Sequence, residues 1–169
     1  MDESSRKILL RLEALCSRAE MCSSAVYDKA LKAFGDERDA AERATEVLDS
    51  LIADKFVDDL RYASAFAREK SSLTGWGPIK ISYALAAKKI DRATIKKALG
   101  EVDESRAADR LRALLEAKWK TLRGPDGKTP EDARLKLIKF ALSRGYEYDA
   151  VKDTVQDICS RHTCGMDIG

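Results

Sequence analysis

Proline is scarce in this chain, with three in 169 residues, and histidine is nearly missing, with one. So few prolines leave long helices uninterrupted. The lone histidine, His162, lies near the C-terminus, and the sequence has no phosphate-cradling glycine loop, no nucleophile elbow and no helical pair of metal-binding histidines. An enzyme is therefore not expected, and neither is a cofactor. There is no long apolar run and no secretory core, so the reading is a cytoplasmic protein without membrane association. Cysteines are few, and the four present (Cys16, Cys22, Cys159, Cys164) are expected to be reduced thiols. Cys159, His162 and Cys164 stand close together, but three ligands do not complete a tetrahedral site and no metal is expected there.

What is abundant is charge, at 36% of the residues, carried on a background rich in Ala and Leu. That composition favours helix over strand, and the chain reads as all-α. The net charge of +2 conceals a segregation of sign. Residues 36–59 hold nine acidic and three basic side chains, residues 68–97 two acidic and eight basic, and residues 106–128 three acidic and seven basic. A basic centre beside an acidic segment suits a polyanionic partner or a protein of complementary charge, although any single cluster can equally be a solvated helix face.

Apolar spacing predicts a first helix from about Ser5 to Cys16 through Ile8, Leu12 and Leu15. Ser17–Glu20 has the capping-box form for a second helix carrying Val26, Ala30, Leu31 and Phe34, closed by Gly35. A third places Ala44, Val47, Leu48 and Leu51 on one face. The phrase then returns: Tyr62, Phe66 and Leu73 form a stripe, Gly75 and Gly77 stop that helix around Trp76, and Pro78 opens a helix with Ile79, Ile81 and Leu85 inward. Asp91 caps a helix with Ile95, Ala98, Leu99 and Val102. A third pass runs through Ala108, Leu111, Leu115, Trp119 and Leu122, a turn-rich loop Arg123–Thr129, a helix capped by Thr129 with Leu135, Ile138 and Leu142, then Gly145 and a last helix with Tyr148, Val151, Val155 and Ile158. Gly35, Lys89 and Gly145 fall in register with a period of about 55 residues.

The expected architecture is thus three tandem three-helix repeats (1–56, 57–103 and 104–158) forming an elongated, curved array, followed by a disordered tail over 159–169.

The segment VDDLRYASAFAREK, the phrase GWGPIKISYAL and KKIDRATIKKAL together resemble the RecX family of bacterial recombination regulators. SRAEM with KAFG, and KLIKFALSRGYEYDAVKDTV, resemble that family's first and third repeats, so the likeness spans about Ser5 to Ile158. The resemblance implies a non-enzymatic protein that binds the RecA recombinase, or its filament on single-stranded DNA, and modulates, mainly by inhibition, its ATPase and strand exchange. It implies a monomer whose direct binding to DNA, if any, is weak. Lys89 departs from the glycine the family usually has there, which puts a left-handed helix cap in doubt. The rival reading from the residues is a helix-turn-helix type DNA-binding protein.

The candidate contact residues are the cations. Arg61 and Arg68 share a helix face, and Lys70, Lys80, Lys88 and Lys89 extend the basic segment. Arg112, Lys118 and Lys120 form a second patch, for which a solvated face is the plainer reading. Arginines suit carboxylate or phosphate partners, while Arg61 is as readily placed in a bridge to Asp58. Trp76 and Tyr83 could stack on unpaired bases, but core is the expectation for both, and for Trp119.

Overall fold

The computed structural model describes residues 1–122 and 130–164, apart from the side chains of Pro130, Thr163 and Cys164. The expected loop Arg123–Thr129 and its Thr129 cap lie outside the described residues, as do the side chain of Cys164 and the residues after it. Among the described residues the secondary structure is helical throughout: α1 (Glu3–Cys16), α2 (Ser23–Phe34), α3 (Ala40–Ala53), α4 (Asp59–Leu73), α5 (Pro78–Ala87), α6 (Arg92–Gly100), α7 (Glu104–Leu122), α8 (Pro130–Ser143) and α9 (Tyr148–Cys164). None of these helices is long and apolar enough to cross a membrane. Two compact units result, Met1–Ala65 with Ala84–Ala98 (unit 1) and Phe66–Tyr83 with Leu99–Gly169 (unit 2).

In unit 1, α1, α2 and α3 close on a core that includes Val26, Ala30, Val47 and Leu51, all fully buried. Each such valine or leucine contributes roughly 1.5–3 kcal/mol of burial. Arg43 fastens the rim: its guanidinium donates to both carboxylate oxygens of Asp2 at 2.9 and 2.8 Å, to the buried Ser5 hydroxyl at 3.1 Å and to Glu37, and lies 4.3 Å from the centre of the Phe34 ring. Asp2 also caps α1 through the Ser5 amide at 2.7 Å, and those bonds, with Arg43 behind them, hold its carboxyl below the usual range.

Unit 2 has its own core, in which Leu115, Leu137, Ala141, Val151 and Val155 are fully buried and Trp119 nearly so, as expected for Trp119. Over residues 159–164 helix α9 corrects the disordered tail predicted for 159–169. It continues to Cys164 because Ile158 is buried, Cys159 packs against the core and His162 stacks on Trp119 with ring centres 5.3 Å apart. Burial raises the Cys159 thiol above its ordinary value, the expected state of a packed, unreactive cysteine.

Other expectations are corrected by burial. Helix α4 turns Ala63, Ala67 and Ser71 inward, leaves Tyr62 and Phe66 half-buried, and exposes Leu73 at 79%. Helix α8 buries Ala133, Leu137 and Ala141 and exposes Leu135 and Leu142. Small residues on these faces admit close packing, which a pattern read by size alone puts on the wrong side. Ala108 and Tyr148 are likewise exposed, and Ile79 is 41% exposed. The Ser17–Glu20 capping box does not form: α2 begins at Ser23, and its first amide is capped from a distance by Asp59.

Three helix ends share one closure. After α3, α5 and α8 the residues Lys55, Lys89 and Gly145 have φ of 60°, 61° and 88°. In each the next amide bonds back five residues, Phe56 to Leu51, Ile90 to Leu85 and Tyr146 to Ala141. This is the Schellman closure, with an apolar residue following the left-handed position. Lys89 therefore makes the left-handed cap that its side chain put in doubt.

Candidate functional site

In unit 2 the end of α4 and the start of α5 assemble a cationic and aromatic cluster. Phe66 and Lys70 are one helical turn apart, and the Trp76 amide bonds the Lys70 carbonyl at 3.0 Å, which folds the indole back towards α4. Phe66 and Trp76 meet edge to face, 6.3 Å between centres at 70°. The Lys70 ammonium lies 4.9 Å from the Trp76 centre and 5.5 Å from that of Phe66, and the Lys80 ammonium 4.6 Å from Trp76. Two cations thus hold to one half-buried indole, each contact worth about 0.5–1 kcal/mol at such an exposure. Each ammonium keeps donors for an anionic group, and the pair can receive a carboxylate or a phosphate.

A backbone joint fixes the cluster. Gly77 donates its N–H to the Arg144 carbonyl at 2.7 Å, Ile79 to the Gly145 carbonyl at 2.9 Å, and the Tyr146 hydroxyl to the Gly75 carbonyl at 3.1 Å. A Cβ on Gly77 would overlap the Gly145 carbonyl, and one on Gly145 would overlap the backbone of Lys80. The two glycines are needed for this approach. Pro78, lacking an amide, sits between the two donors at the first position of α5. Burial pushes the Tyr146 phenol up from its ordinary value, with Arg110 and Arg144 opposing the shift.

The other cations divide by what they touch. Arg61 is built into the scaffold of unit 1. Its guanidinium pairs with Glu20 at 2.5 Å and donates to the carbonyls of Lys55 and Phe56, closing the end of α3, while only its backbone amide meets the Asp58 carboxylate, at 3.0 Å. Arg112 pairs with Asp157 at 2.7 Å inside unit 2. Lys118 lies 5.0 Å from the Phe140 ring centre. Lys88 is 6.0 Å from that of Tyr62, and its carbonyl accepts the Ser24 hydroxyl at 2.6 Å. Arg68, Lys89 and Lys120 are exposed and have no side-chain ion pair among the described residues. The structure brings Lys70 and Lys80 together around Trp76; the remaining candidates are spread over α4, the turn after α5 and α7. No group of His, Cys, Asp or Glu able to hold a metal occurs among the described residues.

Tyr83 is 75% exposed, which corrects the expectation of core. It stands one turn beyond Lys80 on α5 and offers a free ring face. Sequence reading missed three members of these arrangements. Asp59, in the first turn of α4, accepts from both the amide and the hydroxyl of Ser23 at 2.7 and 2.5 Å. Arg110 reaches the Ser71 hydroxyl at 2.5 Å. Arg144 lies 5.3 Å from the Phe140 centre, repeating the aromatic and cation spacing of Phe66 and Lys70; that repeated spacing was the available signal.

Two family models match the chain, RecX, second three-helix domain, over residues 58–99, and RecX, third three-helix domain, over residues 104–155. The regulatory protein RecX of Clostridium botulinum (strain Alaska E43 / Type E3) is 29% identical over 164 residues, 93% of this chain and 76% of that protein. That of Clostridium tetani (strain Massachusetts / E88) is 34% identical over 134 residues, 79% of this chain, but the chain spans only 58% of its length. The crystal structure of RecX from Lactobacillus salivarius matches with a TM-score of 0.80 over 93% of this chain and 97% of that one, at 20% identity, a likeness of fold.

Proposed function

The chain belongs to the RecX family, and from that premise we propose that it is a non-enzymatic regulator that binds RecA, or the RecA filament on single-stranded DNA, and restrains its ATPase and strand exchange. The observation that carries this reading is the match of both three-helix models over residues 58–99 and 104–155. The cluster of Phe66, Lys70, Trp76 and Lys80 supports it with a surface suited to carboxylates or phosphates, with Tyr83 beside it as a stacking face. Arg68 joins this proposed contact set within unit 2, Lys88 and Lys89 are separate proposed contacts in unit 1, and Lys118 and Lys120 of α7 form a lesser set. Arg61 and Arg112, each held in an internal ion pair, serve the scaffold first.

The test is to add the purified chain, below the amount of RecA, to RecA on single-stranded DNA while following ATP hydrolysis and filament length. Both are expected to fall. If both stay unchanged the regulator reading is wrong, and sequence-dependent binding to duplex DNA in the same samples would move the chain to the helix-turn-helix reading. A combined Arg68→Ala, Lys80→Ala and Lys88→Ala variant is expected to weaken inhibition by about ten-fold or more at unchanged helical content. Undiminished inhibition would remove this surface from the proposal.

A further inference from the structure

A groove in unit 1, remote in sequence from the basic segment, is unused by anything above. It lies between α1 and α2 and has a volume of 370 Å³, inside the range of about 300–1,000 Å³ usual for ligand sites. Ile8, Leu12 and Leu15 of α1 supply an apolar floor at helical spacing, with Leu12 buried and the other two half-buried. Arg11 of α1 and Lys29 and Lys32 of α2 stand around it, and no acidic side chain lines it. These three cations are exposed and have no ion pair among the described residues.

Three other cations of this unit do meet acids, Lys7 with Glu3 at 2.8 Å, Arg43 with Asp2 and Glu37, and Arg61 with Glu20. The acids of residues 36–59 make no ion pair with Arg11, Lys29 or Lys32. Like charges around a concave, low-dielectric surface focus a positive potential into it, so an anionic group is drawn to the rim. A nucleic acid would use only that rim. Its bases stack on aromatic rings, and no aromatic side chain lines the groove.

We propose that the α1–α2 groove binds an acidic amphipathic segment of a partner protein, its apolar side chains on Ile8, Leu12 and Leu15 and its carboxylates on Arg11, Lys29 and Lys32. This is helix-in-groove recognition, with burial giving affinity and the charges giving orientation. It rests on unit 1 alone and stands whether or not the cation and aromatic cluster contacts RecA.

The probe is a fluorescein-labelled peptide of about twelve residues, with leucines at i, i+3, i+4 and i+7 along one helical face and glutamates flanking them. Titrated with the full chain, it is expected to bind saturably and to shift the methyl signals of Ile8 and Leu15. Binding should weaken about ten-fold in the Lys29→Glu, Lys32→Glu variant, whose substitutions are exposed and should leave thermal unfolding unchanged. It should vanish for peptides with lysine in place of glutamate or serine in place of leucine. No binding of the first peptide, equal binding by the variant, or equal binding of the serine peptide would each overturn the proposal. So would displacement by oligothymidylate through the same methyl signals, which assigns the groove to nucleic acid, or growth of a dimer that buries it, which assigns it to a second copy.

Discussion

The same joint is built twice in this molecule with different chemistry. In unit 1 the start of α2 meets the turn after α5 and the first turn of α4, and side chains make the bonds: the Ser24 hydroxyl to the Lys88 carbonyl, the Ser23 amide and hydroxyl to the Asp59 carboxylate of α4. In unit 2 the start of α5 meets the turn after α8, and backbone amides make them: Gly77 to Arg144, Ile79 to Gly145. Lys88 and Arg144 hold equivalent places, each just before the left-handed residue. A hydroxyl spans a gap that a backbone amide must close, so the first joint admits serines and a lysine where the second demands two glycines.

That contrast fixes where substitution is most damaging. Gly145→Ala combines a φ of 88° with overlap on the Lys80 backbone, and Gly77→Ala drives a methyl into the Gly145 carbonyl. Each is expected to destabilise unit 2 by about 3 kcal/mol or more, read as lowered thermal and urea midpoints. Gly35→Ala is the control, since its φ is 65° but nothing lies within 4 Å of the added methyl. Its cost should be only the left-handed strain, about 1 kcal/mol. Equal losses at Gly35 and Gly145 would mean that close approach is not what the glycines provide.

The side-chain joint should fail more gently. Asp59→Ala leaves the Ser23 amide at the first turn of α2 without its acceptor, at an expected cost of about 1–3 kcal/mol. Asp59→Asn keeps an acceptor and should recover part of it, and Ser24→Ala, which loses one bond to Lys88, should cost about 1 kcal/mol. A result in which Ser24→Ala exceeds Asp59→Ala in urea unfolding would reverse the assignment of the main tie in this joint.

What could be read from the sequence divides along the same line. Helices and their order were legible, because apolar spacing and scarce proline act locally, and so was the register of Gly35, Lys89 and Gly145, which all take positive φ. Faces packed through alanine were not: Ala63, Ala67, Ala133 and Ala141 are buried while Leu73, Leu135 and Leu142 are exposed, since contact distance rather than side-chain size selects the inner face. At the candidate site the cations were legible as types and their partners were not. Nothing local joins Arg61 to Glu20, Arg112 to Asp157 or Asp59 to Ser23, because each pair forms only when distant segments meet. Tyr83 was misjudged for the converse reason, an aromatic near a turn being usually core.

The smallest expected effect is the most discriminating. Lys89 takes a φ of 61° that glycine adopts without strain, so Lys89→Gly should stabilise the chain by about 0.5–1 kcal/mol in urea unfolding. Lys55, at 60° after α3, offers the matched control, since it closes a helix in the same way but lies outside the proposed contact set. If both lysines are merely tolerated, both glycine variants gain stability and neither changes the effect on RecA. If Lys89→Gly gains stability while the proposed inhibition of RecA weakens, and Lys55→Gly gains stability alone, then the strained lysine after α5 is held there by its contact and not by the fold. A loss of stability at Lys89 would instead show that the left-handed position costs nothing, and the parallel drawn with Gly145 would fail at that turn.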